Sequence, residues 1–266
     1  MEGFISAAAP YGVLAGAALV AGAMNAMAGG GSFISFPALL GAHIPPVNAN
    51  ATNTVALWPG QLASIVAFRA ELREGRHLLV PVMLAGAIGG VAGALTLLHT
   101  SQSTFKILVP WLLLFATVIY AASKRINQWI ISRGRGGKQQ EVTGFPFPMF
   151  AALVMVSIYI GYFGAGAGFL IITVLSLFGV KNLHEVNALK ALCTTLANGV
   201  AVVTFIVAGA VYWKECLTMM GMAIVGGYLG AAYSRKMNPG ILRGVVISTG
   251  AALSLYYFYQ LYYQRR

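Results

Sequence analysis

Two glycine runs interrupt apolar stretches of this chain: Met27-Ala28-Gly29-Gly30-Gly31-Ser32 in the first half and Gly164-Ala165-Gly166-Ala167-Gly168 in the second. Each precedes a short apolar piece, residues 32–40 and 169–178. At about 1.5 Å of rise per residue, such a piece cannot cross a hydrocarbon core of about 30 Å as an ordinary helix. A helix that begins inside a bilayer leaves its first N–H groups unpaired, and its aligned peptide dipoles make that end partly positive. Glycine lets a ligand approach the backbone, so a small anion can satisfy donors that lipid cannot. The chemistry these runs suggest is reversible anion binding. Asn25, Gly29, Gly30, Gly31 and Ser32 would serve it in the first break, and Gly164, Gly166 and Gly168 in the second. The plainer alternative is that the glycines only permit tight helix packing. The GAGAG run is a poor nucleotide motif, because no strand pattern precedes it.

A polar constellation opens the next apolar stretch of each half. The first reads Asn48-Ala49-Asn50-Ala51-Thr52-Asn53-Thr54, followed by Trp58-Pro59-Gly60-Gln61; the second reads Glu185-Val186-Asn187-Ala188-Leu189-Lys190, followed by Thr194, Thr195 and Asn198. Polar side chains inside membrane spans are costly and face a bundle interior or a cavity. Asn50, Asn53, Thr54 and Trp58 fall at helical spacings and share a face; Asn187, Lys190 and Asn198 are the candidates of the second half. Lys190 stands where Asn53 stands in the first half, and its ammonium either snorkels to the interface or supplies positive charge to an anion. Pro59 either kinks its helix and frees a carbonyl or only adjusts packing.

Other groups carry less. His43, His77, His99 and His184 fall near predicted span ends, where interfacial solvation is the plain reading; His184 beside Glu185 offers a route for proton coupling. Gly89/Gly93, Gly226/Gly230 and Gly12/Gly16 are small-xxx-small patterns that set close helix packing. No catalytic set emerges: of the six acidic residues, none pairs with a histidine on a predicted helix face, and no serine sits in a nucleophile elbow. Cys193 and Cys216 have no CxxC partner and no histidine at ligand spacing, so no disulfide, metal or cofactor site is expected.

The elements that must position these groups are membrane helices. Of 266 residues, 58% are hydrophobic and only 9% charged, far below the roughly 25% charged of soluble domains. The net charge of +11 sits in the gaps between apolar stretches, so it reads as a positive-inside bias and not as a nucleic-acid surface. The partners expected are a lipid bilayer and a small anion, with no nucleic acid; a homodimer is left open. Residues 4–27 lack a basic leader and are too long for a signal core, so they are read as the first span. Hydropathy divides the rest into 32–40, 47–68, 78–98 and 105–122, then 147–163, 169–178, 186–208, 216–233 and 241–262. The expected class is all-α and polytopic, with repeats over 1–123 and 144–266 joined by a basic, glycine-containing linker, 124–143, on the cytoplasmic side. A constant offset aligns Ala28-Gly29 with Ala165-Gly166, Gly31 with Gly168, Asn50-Ala51 with Asn187-Ala188, and Gly89-Gly90 with Gly226-Gly227. Such duplication is a recurrent plan of secondary transporters, whose site lies where the halves meet and whose halves rock or slide to expose it. If the short pieces are re-entrant, each half has four full spans and the repeats are parallel; if they cross, each has five and the repeats are inverted. Arg235 and Lys236 favour inversion, whereas Arg265 and Arg266 favour a cytoplasmic C-terminus. Two half-helix N-termini approaching one anion from opposite sides also favour inversion.

These residues carry a resemblance. The run Asn25-Ala26-Met27-Ala28-Gly29-Gly30-Gly31-Ser32-Phe33, then Phe36-Pro37-Ala38-Leu39, then Asn50-Ala51-Thr52-Asn53-Thr54 with Trp58-Pro59-Gly60, resembles the sulfite exporter TauE/SafE family, of the toluene sulfonate uptake permease type. Gly161-Tyr162-Phe163-Gly164-Ala165-Gly166-Ala167-Gly168, with Asn187-Ala188-Leu189-Lys190 and Asn198-Gly199, is similar to that family's other repeat. The match covers nearly the whole chain. It implies a multi-pass permease of the bacterial inner membrane for sulfite, organosulfonates or related small organic anions. It also implies a drive by an ion gradient, with protons the most economical choice, and without ATP. A passive anion channel and a membrane-embedded subunit of a sulfur pathway are the competing expectations.

Overall fold

The computed structural model describes residues 2–27, 30–67, 72, 76–134, 145–180, 182–233 and 239–263. Among these the chain forms ten helices and no strand: α1 (Glu2–Met27), α2 (Ser32–Gly41), α3 (Pro46–Ala67), α4 (Arg76–His99), α5 (Gln102–Gly134), α6 (Phe147–Tyr162), α7 (Ala167–Leu177), α8 (Leu183–Val207), α9 (Trp213–Tyr233) and α10 (Pro239–Tyr263). Helices over Leu78–His99, Gln102–Ser123 and His184–Val207 are long and apolar enough to cross a membrane, while α2 and α7 are apolar but short. At 10 and 11 residues, these two reach only about half of a hydrocarbon core. Apolar runs and glycine breaks therefore set the boundaries much as the sequence predicts. The exception is α5. It continues through the first part of the stretch read as a linker, because no glycine or proline interrupts the chain from Trp111 to Arg133. Residues 135–144 lie outside the described residues, as do Gly29, Arg69, Arg235, Lys236, Arg265 and Arg266.

The chain divides into two compact units, which are a different division from the two sequence halves. One comprises Met1–Gly60, Leu98–Thr117 and Phe205–Arg266; the other comprises Gln61–Leu97 and Val118–Thr204. In the first, α9 lies directly on α1. A β-carbon on Gly230 would come 2.6 Å from the Ala23 Cα, and one on Gly226 would strike the Leu19 carbonyl, so only glycine allows the backbones this close. Phe33 of α2 packs beneath Gly250 of α10, where a β-carbon would meet its ring at 3.1 Å. Phe36 meets Phe105 edge-on at 6.4 Å. The start of α3 is tied down by side chains: Asn48 Nδ2 donates to the Ala210 carbonyl at 2.9 Å, and Gln102 Nε2 donates to Asn48 Oδ1 at 2.9 Å. Thr52 Oγ1 accepts the Tyr212 N–H at 3.0 Å.

The second unit is built in the same way from the complementary helices. Gly89 and Gly93 of α4 lie on α6 at Val154, Ser157 and Ile158, and Gly90 of the same helix lies on α8, where a β-carbon would come 2.8 Å from the Ala197 Cα. Its core joins Leu78, Val82 and Ala85 to Met149, Leu153, Ile171, Leu175, Leu189 and Cys193. Tyr120 of α5 closes on Phe169 of α7 edge-on at 4.9 Å. In each unit, then, the opening helices of one sequence half clasp a glycine-bearing helix of the other half. Gly89/Gly93 and Gly226/Gly230 are packing residues, as their spacing predicts. Gly12 and Gly16 are not: among the described residues nothing lies within 4 Å of a β-carbon at either.

Candidate functional site

The first break is closed by neutral side chains. Gly30 takes a φ of +94°, a left-handed turn that glycine adopts freely. The Gly31 N–H, which the sequence offers to a ligand, instead donates to Asn25 Oδ1 at 2.7 Å. The Phe33 and Ile34 N–H groups turn back on the carbonyls of Gly30 and Gly31 at 3.0 and 2.9 Å. Ser35 Oγ donates to Asn53 Oδ1 at 2.5 Å and also lies 3.1 Å from the Gly31 carbonyl; Asn53 Nδ2 donates to Ser32 Oγ at 3.2 Å. Most donors read as an anion cradle are thus spent within the protein, since a side-chain carbonyl six residues upstream satisfies the same N–H an anion would. Asn50 and Asn53 are buried, while Thr54 and Trp58 are half-buried. Thr54 Oγ1 donates back to the Asn50 carbonyl at 2.9 Å.

The second break has a different character. Gly164 and Gly166 take φ of +75° and +73°, and Gly166 caps α7 in the left-handed conformation. The Ala167 and Phe169 N–H groups reach the carbonyls of Gly164 and Gly166 only at 3.3 Å, longer than well-formed bonds of about 2.7–3.2 Å. Tyr159 Oη donates to the Ala165 carbonyl at 2.8 Å and anchors the turn to α6. Against this break lies Lys190. A β-carbon on Gly168 would come 3.5 Å from the Lys190 Cδ and 3.9 Å from its Cγ, and Nζ donates to Asn187 Oδ1 at 3.3 Å. At the other end of the break, Asn198 Oδ1 lies 3.8 Å from a β-carbon position on Gly164. A cation, amide groups and loosely paired backbone donors therefore stand along one glycine turn, a set suited to an oxyanion.

The two breaks correspond one residue out of step with the constant offset read from sequence. Positive φ pairs Gly30 with Gly166, and the bond from Phe33 to Gly30 matches that from Phe169 to Gly166. With Ser32 paired to Gly168 in that register, and Asn53 paired to Lys190 by the constant sequence offset, the contact of Asn53 with Ser32 has its counterpart in the contact of Lys190 with Gly168. His184, exposed in the first turn of α8, uses its backbone N–H to reach Asn182 Oδ1 at 3.0 Å. Among the described residues no hydrogen bond or ion pair joins its side chain to Glu185. Ser35, Gln61 and Tyr159 are absent from the sequence-based candidates. The signal for each was a polar side chain inside an apolar run.

Comparison with known proteins agrees over most of the chain. Residues 14–257 match the family of the sulfite exporter TauE/SafE. The probable membrane transporter protein YfcA of Escherichia coli strain K12 is 25% identical over 247 residues, covering 91% of this chain and 87% of the relative. The probable membrane transporter protein ORF9 of a Sinorhizobium species is 28% identical over 244 residues, covering 90% and 88%. A probable membrane transporter protein of Haemophilus influenzae is 26% identical over 235 residues, covering 86% of each. No solved structure matches the chain. With its apolar helices and paired glycine breaks, this chain is a membrane transporter and belongs to the sulfite exporter TauE/SafE family.

Proposed function

We propose that this transporter is a secondary-active permease for small anions, chiefly sulfite, organosulfonates and related sulfur-containing or organic anions, in a bacterial inner membrane that it crosses several times. A proton gradient drives it. The observation that carries the reading is Lys190, whose stem lies against Gly168 and whose ammonium stands within a helix apolar enough to cross a membrane. A lysine held in this way, beside a helix start with long backbone bonds, favours a ligand with negative charge and acceptor oxygens. Asn187 positions the ammonium, and Gly166 and Gly168 keep the turn clear of side chains. The first break is closed by the neutral side chains of Asn25, Ser35 and Asn53.

Sulfite, a sulfonate and thiosulfate are the substrates to test in turn, each labelled, with the purified protein reconstituted in liposomes. Saturable uptake of at least one, beyond that of protein-free vesicles, is expected. Absence of uptake and binding for all three would refute the reading. Flux that never exceeds equilibration under an imposed proton gradient would make the protein a passive channel instead.

A further inference from the structure

Between Val186 and Asn198 most of α8 is buried. Ala188, Leu189, Ala191, Leu192, Cys193 and Ala197 are buried, whereas Asn187, Lys190, Thr194 and Asn198 are half-exposed. These four recur at helical spacing and form one stripe. From Val186 to Asn198 four of the five half-exposed residues are polar, Leu196 being the fifth, which is the pattern of a helix lining a pathway over that stretch; beyond it the exposed residues Val203, Ile206 and Val207 are apolar. Lys190 is at one end, and at about 1.5 Å per residue Asn198 is about 12 Å further along the axis.

At that far end a second polar group meets the stripe. Asn198 Nδ2 donates to Gln61 Oε1 at 3.0 Å, and Thr195 Oγ1 donates to the Gln61 backbone carbonyl at 3.3 Å. These bonds use the Gln61 side-chain acceptor and fix the plane of its amide. Among the described residues the Gln61 Nε2 has no partner, and Gln61 is half-exposed. Reversing both amides would leave the same result, because two carboxamides joined by one bond always keep an N–H to spare. The amide donor is therefore available to a ligand that carries acceptor oxygens.

We propose that Gln61, oriented by Asn198, is a second anion contact on this pathway: a neutral amide station that receives the substrate's oxygens about two helical turns from Lys190. A neutral donor holds an oxyanion less tightly than an ammonium does, which lets the anion leave the lysine without being trapped at the next position. The inference rests on the anion-transport reading above and adds a residue and a step to it.

The test compares Gln61→Glu and Gln61→Met with wild type in proteoliposomes, using labelled sulfite and a sulfonate, with kcat and KM measured separately and melting temperature followed in detergent. Gln61→Glu keeps the oxygen that accepts from Asn198 but replaces the donor by a carboxylate, so kcat/KM should fall at least tenfold with little change in melting temperature. Lowering the pH should recover part of the sulfonate flux in Gln61→Glu, whose protonated carboxyl is again a donor, and none in Gln61→Met. If the amide pair is only a helix-packing bond, Gln61→Glu will retain wild-type kcat/KM while Gln61→Met loses thermal stability, and the proposal is overturned. Wild-type protein that moves neither anion would overturn the transport reading, and this station with it.

Discussion

Replacing Lys190 by methionine separates its charge from its packing. The lysine stem meets the Gly168 position at 3.5 and 3.9 Å, and a methionine side chain reaches far enough to keep that contact. The internal bond lost is the one to Asn187 at 3.3 Å, which is long, so fold stability should change by less than about 1 kcal/mol. The loss to a bound anion is larger. A hydrogen bond from a charged donor contributes about 1.5–3 kcal/mol, which at about 1.4 kcal/mol per decade is roughly tenfold to 150-fold in affinity. A Coulomb estimate of about 4 kcal/mol, for unit charges 4 Å apart at an effective dielectric of about 20, sets the ceiling. The assay is the initial rate of labelled sulfite uptake into proteoliposomes over a range of concentrations, with Lys190→Arg as the variant that retains charge. KM should rise at least tenfold in Lys190→Met, with melting temperature unchanged, and Lys190→Arg should recover part of the loss. A Lys190→Met protein whose KM stays within twofold of wild type would show that the ammonium does not face the substrate.

Three further outcomes separate packing from function. Asn25→Ala should lower stability by about 1–3 kcal/mol, because it orphans the Gly31 N–H, while Asn25→Asp, which keeps an acceptor, should melt near wild type; equal melting of all three proteins would mean that the bond does not hold the break. Gly93→Leu should sharply reduce the yield of folded protein, since any β-carbon there meets the α6 backbone at Ile158 and Tyr162. Gly12→Leu has open space and should express normally, and the reverse order would contradict the packing. Gly166→Val places a β-branched residue at φ of +73°, at a cost of at least about 1–2 kcal/mol, and should lower both melting temperature and uptake; unchanged values would exclude strain at the break.

Much of the fold was legible because membrane helices announce themselves locally. The apolar run before Gly164 predicts α6 over 147–163, and it forms Phe147–Tyr162. The glycines of α4 and α9 mark close packing, although their spacing cannot name a partner: Gly93 lies on α6, from the other sequence half. Which helices exchange is a long-range choice that no local pattern encodes. The candidate site was legible by residue type but not by bonding. Asn25 could be placed near the first break from sequence, yet nothing in its spacing says that its amide caps Gly31 and removes that donor from ligand binding. Lys190 shows the opposite limit, since snorkelling and site-facing lysines have the same sequence signature, and its spacing does not say that its stem lies against Gly168. Gln61 follows Trp58-Pro59-Gly60 and reads as the tail of a motif until Asn198 is found to orient it.

The central claim is concentrative transport of a small anion, and accumulation against a gradient tests it most directly. Proteoliposomes carrying the wild-type protein, equilibrated with labelled sulfite at equal concentration on both sides, are given a proton gradient. The account predicts net movement of sulfite that collapses on adding a protonophore and is slower in Lys190→Met at sulfite concentrations below its raised KM. Sulfite that remains at equal concentration on both sides, while exchange across the membrane continues, would contradict it.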